Sequence, residues 1–344
     1  MFRVMAAIGV LVLSAGHYTK SSPTAEVMVD LHPYGFAIDE PPRAKVGIFY
    51  MSRDRLAVFF NDKVPASGQQ SHAFQLLVLN TDGRVLARRE IQADPKAMDI
   101  TPGPNGGVLY GRAGHLDLFD ADLQLLKTVA LPESVTGISF DRKLNQLVEM
   151  TIDDVSQTRS AHFLDGSTLQ EQLTLNFPIK SVPVFGEKQL AYTLGGNCFG
   201  STHVMSGEGN WTSLSDIPAC SLLTFVGNDE IAYPFDKQLY ILDRSGKQLF
   251  KARIPAPNTF VAPSFVGISD NHMRLAVEAV EKTAFAKHGY WPYYNEVFVY
   301  DLKTKRTILR HALPIGCWVR PALSPDGHQF AVVEQGVVKL IPIS

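Results

Sequence analysis

The sequence has no excess of charge of either sign. Among its 344 residues, 32 are Lys or Arg and 34 are Asp or Glu, which leaves a formal net charge of -2. A chain without a basic excess has little with which to neutralise a row of phosphates or an anionic lipid surface. The composition therefore argues against nucleic acid as the partner.

Long apolar runs are absent except at the N-terminus. The run over residues 4–13 follows a single Arg and is closed by the small residues 14–16, which is the pattern of a secretory signal peptide. It is shorter than the roughly 18 to 20 residues that a membrane-spanning helix needs. We expect a signal peptide over residues 1–16, a flexible linker over 17–25, and a secreted or periplasmic mature chain without a membrane span. A buried strand is the alternative interpretation of this run.

Motifs for catalysis and for cofactors are missing as well. The sequence contains no Gly-x-Ser-x-Gly elbow, no His-Glu-x-x-His, no phosphate-binding loop and no Cys-x-x-Cys. Its ten His residues are scattered singly, so their spacing predicts no metal site. We therefore expect no cofactor and no resident metal, and a protein that is not an enzyme.

Turn-forming and aromatic residues are plentiful. The chain has 26 Gly, 21 Pro and an aromatic content of 10%. Such a composition suits many short strands joined by turns better than a helical bundle. The sequence favours an all-β fold.

Short apolar runs that end in a turn recur seven times. The runs end at Asn80, Asp120, Asp165, Ser206, Asp243, Asp301 and Pro342. Their spacings lie between 37 and 45 residues, with one exception of 58. Because a propeller blade of four strands uses roughly 40 to 45 residues, the repeat predicts a single seven-bladed β-propeller over residues 26–344, with four-stranded antiparallel blades. The strands of each blade are called a, b, c and d in chain order.

The seventh unit lacks a fourth strand, because the chain stops soon after its third. Residues 26–31 alternate between apolar and polar side chains and precede the first complete unit. Pairing them with residues 337–341 would complete the last blade and leave the ring without an open edge. We predict that pairing.

Two sequence features resemble known propeller families. Ser324-Pro325-Asp326-Gly327, leading into residues 330–332, resembles the Pro-Asp-Gly repeats of exported bacterial propellers. The runs that end in Leu-Asp or Tyr-Asp are similar to the wider YVTN and WD-repeat group. The resemblance implies a propeller but no particular function, since propellers serve as scaffolds, binding modules and enzymes.

The predicted connections differ between the two faces of the ring. Those between strands a and b and between c and d are tight, whereas several between b and c are long, namely 61–72, 153–160, 195–201 and 281–295. The longest carries a set of side chains with large contact surfaces: Phe285, His288, Tyr290, Trp291, Tyr293 and Tyr294. We expect this face to bind a protein or an envelope polymer. Packing of the same rings against a neighbouring blade is the alternative.

Three further residues are candidates for the channel mouth on that face. Lys180, Trp318 and Arg320 are assigned to first strands, which line the channel of a propeller, and the two cations could receive an anionic ligand there. Neutralisation by neighbouring polar groups is the alternative. The rival functional hypothesis, a lactonase-like hydrolase or lyase, would assemble its polar site from single residues of several blades at this mouth.

The three cysteines allow one disulfide at most. Cys198 and Cys220 fall on the same face of adjacent predicted blades, so a bridge between them is the candidate pairing in an oxidising compartment, with free thiols as the alternative. We expect Cys317 to be unpaired and to act as a small buried apolar side chain.

Overall fold

The computed structural model describes most of the chain after the N-terminal segment. The described residues are 26–36, 46–61, 73–92, 99–112, 114–193, 201–207, 209–210, 214, 217, 223–227, 230–235, 237–255, 260–281, 295–313 and 321–344. They form seven four-stranded antiparallel sheets and two 3-10 segments, His32–Tyr34 and Pro104–Gly106. The predicted all-β, seven-bladed propeller is confirmed.

The strands follow the repeat of the sequence. The first strand is β1 (Val27–Asp30). Blade 1 contains β2 (Val46–Tyr50), β3 (Arg55–Asn61), β4 (Ala73–Asn80) and β5 (Val85–Gln92). Blade 2 contains β6 (Asp99–Pro102), β7 (Val108–Arg112), β8 (His115–Phe119) and β9 (Leu125–Ala130). Blade 3 contains β10 (Val135–Asp141), β11 (Gln146–Asp153), β12 (Thr158–Asp165) and β13 (Glu171–Pro178). Blade 4 contains β14 (Val182–Gly186), β15 (Gln189–Thr193), β16 (Thr202–Ser206) and β17 (Gly209–Asn210).

The remaining blades complete the ring. Blade 5 contains β18 (Thr224–Phe225), β19 (Glu230–Phe235), β20 (Gln238–Asp243) and β21 (Gln248–Arg253). Blade 6 contains β22 (Phe260–Ile268), β23 (Arg274–Glu281), β24 (Asn295–Asp301) and β25 (Arg306–Leu313). Blade 7 contains β26 (Ala322–Leu323), β27 (Gln329–Glu334), β28 (Val337–Pro342) and β1.

The apolar runs of the repeat are the third strands, and their polar ends shape the turns that follow. Asp120 accepts hydrogen bonds from the backbone N–H groups of residues 122 and 124, and Asp165 and Asp243 bind the following turn in the same way. These bonds turn the chain back into the fourth strand. A hydrogen bond from the backbone N–H of Thr168 lowers the pKa of the Asp165 carboxyl below its usual value.

Packing occurs between blades. Within the described part of the chain, buried apolar side chains form seven clusters, one between each pair of neighbouring blades. Strand β4 is buried on both faces from Phe74 to Leu79, whereas the outer strand β5 alternates between partly buried and exposed side chains. The continuous apolar runs therefore mark strands that contact a blade on each side.

The first and the last described strands pair in blade 7. β1 pairs antiparallel with β28, with Val27 opposite Leu340 and Asp30 opposite Val337. Leu31 is fully buried beside this pair, and its N–H donates to the carbonyl of Gly336 at 2.7 Å. The predicted closure is confirmed.

No helix among the described residues has the length and apolar character needed to cross a membrane. The predicted signal peptide (1–16) and linker (17–25) lie outside the described residues.

Candidate functional site

The antiparallel strand order divides the connections between two faces. The a-to-b and c-to-d turns lie on one face, called the a–b face below. The b-to-c and d-to-a connections lie on the other, called the b–c face. Strand ends show that a-to-b and c-to-d connections have at most five residues, whereas residues 62–72, 194–201 and 282–294 separate strands b and c in blades 1, 4 and 6. The predicted difference in connection length is confirmed for these three blades.

Blade 3 departs from that prediction. β11 extends to Asp153 and β12 begins at Thr158, and these two residues pair, so the connection contains only residues 154–157. Asp153 closes this tight turn by accepting hydrogen bonds from the N–H groups of Val155 and Ser156. The expected loop over residues 153–160 was therefore wrong, because most of it belongs to strands.

The aromatic candidates Phe285, His288, Tyr290, Trp291, Tyr293 and Tyr294 belong to the connection between β23 and β24 and lie outside the described residues. The same holds for Trp318, Arg320, Cys198, Cys220 and Cys317.

Lys180 is the one candidate in the described part. It is exposed and belongs to the connection between β13 and β14. Its assignment to a first strand was wrong, because β14 begins only at Val182. As part of a d-to-a connection it still belongs to the b–c face.

A cavity of about 360 Å³ opens on the a–b face. Its lining comes from the ends of the first strands and the following turns of blades 2 to 6, at the mouth of the channel. Phe140, Phe185 and Phe225 contribute apolar walls. The charged and imidazole groups of the lining are two cations, three carboxylates and one histidine: Arg142, Lys143, Asp141, Glu187, Asp270 and His272. The sequence-based expectations placed every candidate site on the b–c face and missed this cavity.

Two polar contacts join the a-to-b turns of blades 3 and 6 across this mouth. Arg142 Nη2 donates to both carboxylate oxygens of Asp270, at 2.5 and 2.7 Å. Lys143 Nζ donates to His272 Nε2. Because blades 4 and 5 separate these turns along the chain, only closure of the ring brings the four residues together.

His272 is neutral near neutral pH. Burial lowers its pKa below the usual value, and the positive charge of Lys143 lowers it further, against the opposing effect of Asp141 and Asp270. A neutral imidazole that accepts a hydrogen bond at Nε2 carries its proton on Nδ1. His272 can therefore accept from Lys143 and donate elsewhere.

The turn that carries His272 repeats the turn of blade 7. Met273 N–H donates to Asn271 and Arg274 N–H to the Ser269 hydroxyl, as His328 N–H donates to Asp326 and Gln329 N–H to the Ser324 hydroxyl. The two turns occupy residues 269–274 and 324–329.

The two turns differ at the position with left-handed backbone. Gly327 has φ of 76° and His272 has φ of 56°. A residue with a Cβ atom costs about 1 to 2 kcal/mol in this conformation. Blade 6 therefore accepts a strained histidine at the position where blade 7 has glycine.

The described residues hold no group of three or more His, Cys, Asp or Glu side chains that could bind a metal ion. Ser269, one of two hydroxyl residues that line the cavity together with Thr224, donates to Asn271 and accepts from the N–H of Arg274 within its own turn. The turn thus uses this hydroxyl for its own hydrogen bonds.

Comparisons with known proteins identify the fold. No protein-family model and no curated protein matches the chain. One chain of a crystal structure of the mitotic checkpoint complex is similar in structure, with a TM-score of 0.51 and 14% identity, over 100% of this chain and 98% of that chain. That neighbour is WD40-like. Because 736 chains of solved structures are similar to this one, the likeness establishes the propeller fold but no particular function.

Proposed function

We propose that this chain is an exported, non-enzymatic propeller that binds a protein through its b–c face. The observation that carries the proposal is the difference between the faces. Every a-to-b and c-to-d connection has at most five residues, whereas 13 residues, 282–294, separate β23 and β24 on the b–c face. Connections that vary in length on a rigid ring are where binding surfaces are usually built.

The composition of the longest connection supports the same function. Tyr290, Trp291, Tyr293 and Tyr294 follow one another closely within it. Tyr and Trp offer large, stiff surfaces with a hydrogen-bonding edge, and they are enriched at the centre of protein interfaces. We assign the contact with the partner to this aromatic set.

Two short connections on the b–c face expose apolar side chains as well. Val155, in the turn between β11 and β12, is 95% exposed, and Phe235, at the end of β19, is 45% exposed. These side chains place exposed apolar surface on the b–c face in blades 3 and 5. The structural neighbour from a protein complex agrees with a protein as the partner.

Export rests on the N-terminal sequence, with its apolar run over residues 4–13. An exported chain of the Pro-Asp-Gly or YVTN type would meet its partner in the periplasm or outside the cell. An envelope polymer is the other ligand that this compartment offers.

A hydrolase or lyase is less well supported. The rival hypothesis places its site at the channel mouth on the b–c face, where Lys180 is the one candidate in the described part. At the opposite mouth, on the a–b face, the polar groups contact one another, Arg142 with Asp270 and Lys143 with His272. The Ser269 hydroxyl at that mouth donates to Asn271 and not to a base. The geometry therefore favours binding over covalent chemistry.

The test is capture by crosslinking from the native envelope or culture medium. The mature protein is compared with the double variant Trp291→Ala/Tyr293→Ala. We expect one partner to be captured by the parent and lost from the variant, while the unfolding midpoint stays unchanged. A polysaccharide or other polymer in place of a protein would overturn the protein assignment but keep the face.

A matched control removes exposed apolar surface elsewhere. Leu125 and Leu126 are 47% and 62% exposed on β9, the outer strand of blade 2. The double variant Leu125→Ala/Leu126→Ala should capture the partner as the parent does. Equal capture by all three proteins would remove the aromatic set from the binding site.

A further inference from the structure

We propose that the cavity on the a–b face is a second binding site, which takes a small organic anion: a carboxylate or phosphate group beside Lys143, Arg142 and His272, with an apolar body against the phenylalanine walls. This site is independent of the function assigned to the b–c face. It rests on the charges at the mouth, on the strained histidine and on the cavity walls.

Lys143 supplies a cation that forms no ion pair within the described part of the chain, although the carboxylates of Asp141 and Glu187 also line the cavity. Its ammonium group is exposed, and its hydrogen-bond partner is the imidazole of His272. A neutral ring leaves the positive charge in place. A ligand anion can therefore add an ion pair here without first breaking one.

Arg142 binds the carboxylate of Asp270, which shows that its guanidinium can bind a carboxylate at this mouth. Its guanidinium, 26% exposed, donates to both oxygens of Asp270, which is 40% exposed. Both groups are open to solvent, so a ligand carboxylate can share or replace Asp270 on the guanidinium. Such charge-assisted contacts of Arg with carboxylate or phosphate are strong and directional.

His272 lies at the mouth although its left-handed backbone, with φ of 56°, is unfavourable for a residue with a Cβ atom. Blade 7 forms the same hydrogen bonds with Gly327 at the equivalent position. Nine other described residues with a Cβ atom also have positive φ, so the contact of the imidazole with Lys143, and not the backbone alone, marks His272. With Nε2 occupied by Lys143, the Nδ1–H of His272 is a donor for the anion.

The apolar side chains of the cavity walls would contact the apolar body of the ligand. Phe140, Phe185 and Phe225 line the cavity together with Ile268. Gly186 lets the ring of Phe225 approach from the next blade, since a Cβ atom there would lie 2.9 Å from that ring. A volume of about 360 Å³ is within the range of sites for small organic ligands, which combine apolar walls with a few polar groups.

The experiment is calorimetric titration of the full mature chain with three probes. Phenylacetate carries both the anion and the apolar body, phenylacetamide lacks the charge, and acetate lacks the ring. We expect saturable binding of phenylacetate at millimolar or lower concentration and at least roughly tenfold weaker binding of the other two. Phenyl phosphate, as a fourth probe, distinguishes a phosphate from a carboxylate as the preferred group.

Variants separate a binding site from a structural contact between blades. Lys143→Ala should weaken phenylacetate binding roughly tenfold, and Lys143→Arg should restore most of it. Lys127→Ala, on the outer strand of blade 2, makes the same change in charge away from the cavity and should have no effect. Asp270→Asn removes the internal anion and should tighten binding, an effect that loss of a merely structural contact would not produce.

His272→Gly gives the sharpest outcome. The turn should remain folded, because glycine serves at the equivalent position in blade 7, while phenylacetate binding weakens. The proposal is overturned if phenylacetate does not bind at millimolar concentration, if phenylacetamide binds equally well, or if Lys143→Ala and Lys127→Ala bind alike.

Discussion

Blades 6 and 7 are neighbours that use the same a-to-b turn for different purposes. In both, a Ser hydroxyl and an Asn or Asp side chain accept the same backbone N–H groups. Blade 7 has Pro325 and Gly327 in this turn, which favour its conformation, whereas blade 6 has Asp270 and His272, which contact blade 3. The difference shows which residues serve folding and which are available for binding.

The two blades differ in the same way on the opposite face. Between strands b and c, blade 7 has the two residues Gln335 and Gly336, both with positive φ, as in a tight type I′ turn. Blade 6 has residues 282–294 at that place. Blade 7 joins β1 to β28, and blade 6 contributes to both proposed sites.

The largest expected effect concerns the closure that only blade 7 makes. Leu31, which follows β1, is fully buried in the cluster between blades 7 and 1, so Leu31→Ala should lower the free energy of unfolding by about 2 to 5 kcal/mol. Urea unfolding measures this loss. Leu126→Ala, at a side chain that is 62% exposed, should change it by less than about 0.5 kcal/mol. Equal losses would contradict a closure that depends on β1.

The next effect concerns the contact between the two blades. Arg274 Nη1 donates to the carbonyls of Gly327 and Ile343, at 2.6 and 3.2 Å. Arg274→Ala should cost about 2 kcal/mol, because it leaves partly buried carbonyls without a charged donor. Arg53, whose side chain is 78% exposed beside Asp326, offers the control. Arg53→Ala should cost less than about 1 kcal/mol, and the reverse order would contradict this account.

Exchange at the left-handed position compares the two turns directly. Gly327→Ala should destabilise the protein by about 1 to 2 kcal/mol, because its backbone has φ of 76° and the new Cβ would lie 2.7 Å from Arg274 Cδ. His272→Gly should stay within about 1 kcal/mol of the parent, because relief of strain offsets the added chain entropy. Thermal unfolding of both variants measures the difference. A larger loss for His272→Gly would show that His272 serves the turn.

The smallest effect is on pH dependence. Burial alone would raise the pKa of Asp326, but hydrogen bonds from His328 N–H, the Ser324 hydroxyl and Arg53 lower it below 3.8 overall. A lowered folded-state pKa means that this carboxylate stabilises the protein above about pH 4 and that the contribution is lost as the pH falls further. Asn271, its counterpart in blade 6, does not titrate.

Asp326→Asn should therefore make the free energy of unfolding less dependent on pH below about 4. The measurement is urea unfolding at several pH values between neutral and acidic. Parallel pH profiles for the parent and the variant would contradict the assignment.

Local patterns in the sequence were sufficient for the ring and insufficient for the cavity. The runs ending at Asp120 and Asp243 predicted third strands because strand burial and turn formation depend on nearby residues. The contact of Arg142 with Asp270 could not be predicted, since 128 residues separate them and only the closed ring brings them together. Lys180 was misplaced because β14 begins at Val182, two residues after Lys180.

One signal for the cavity was present in the sequence. Aligning residues 269–274 with 324–329 places His272 opposite Gly327, at a turn position that favours glycine. The signal is weak, because nine other described residues with a Cβ atom also have positive φ. The alignment alone could not reveal Lys143 as its contact.

The most direct test of the binding function gives blade 6 the b-to-c connection of blade 7. Val280 pairs with Asn295 as Glu334 pairs with Val337, so residues 281–294 can be replaced by Gln-Gly, the two residues that join β27 to β28. We predict that the shortened protein unfolds cooperatively at or above the parent midpoint and no longer captures the partner in the crosslinking experiment. Undiminished capture by this folded variant would contradict the claim that the long connection of blade 6 is the binding site.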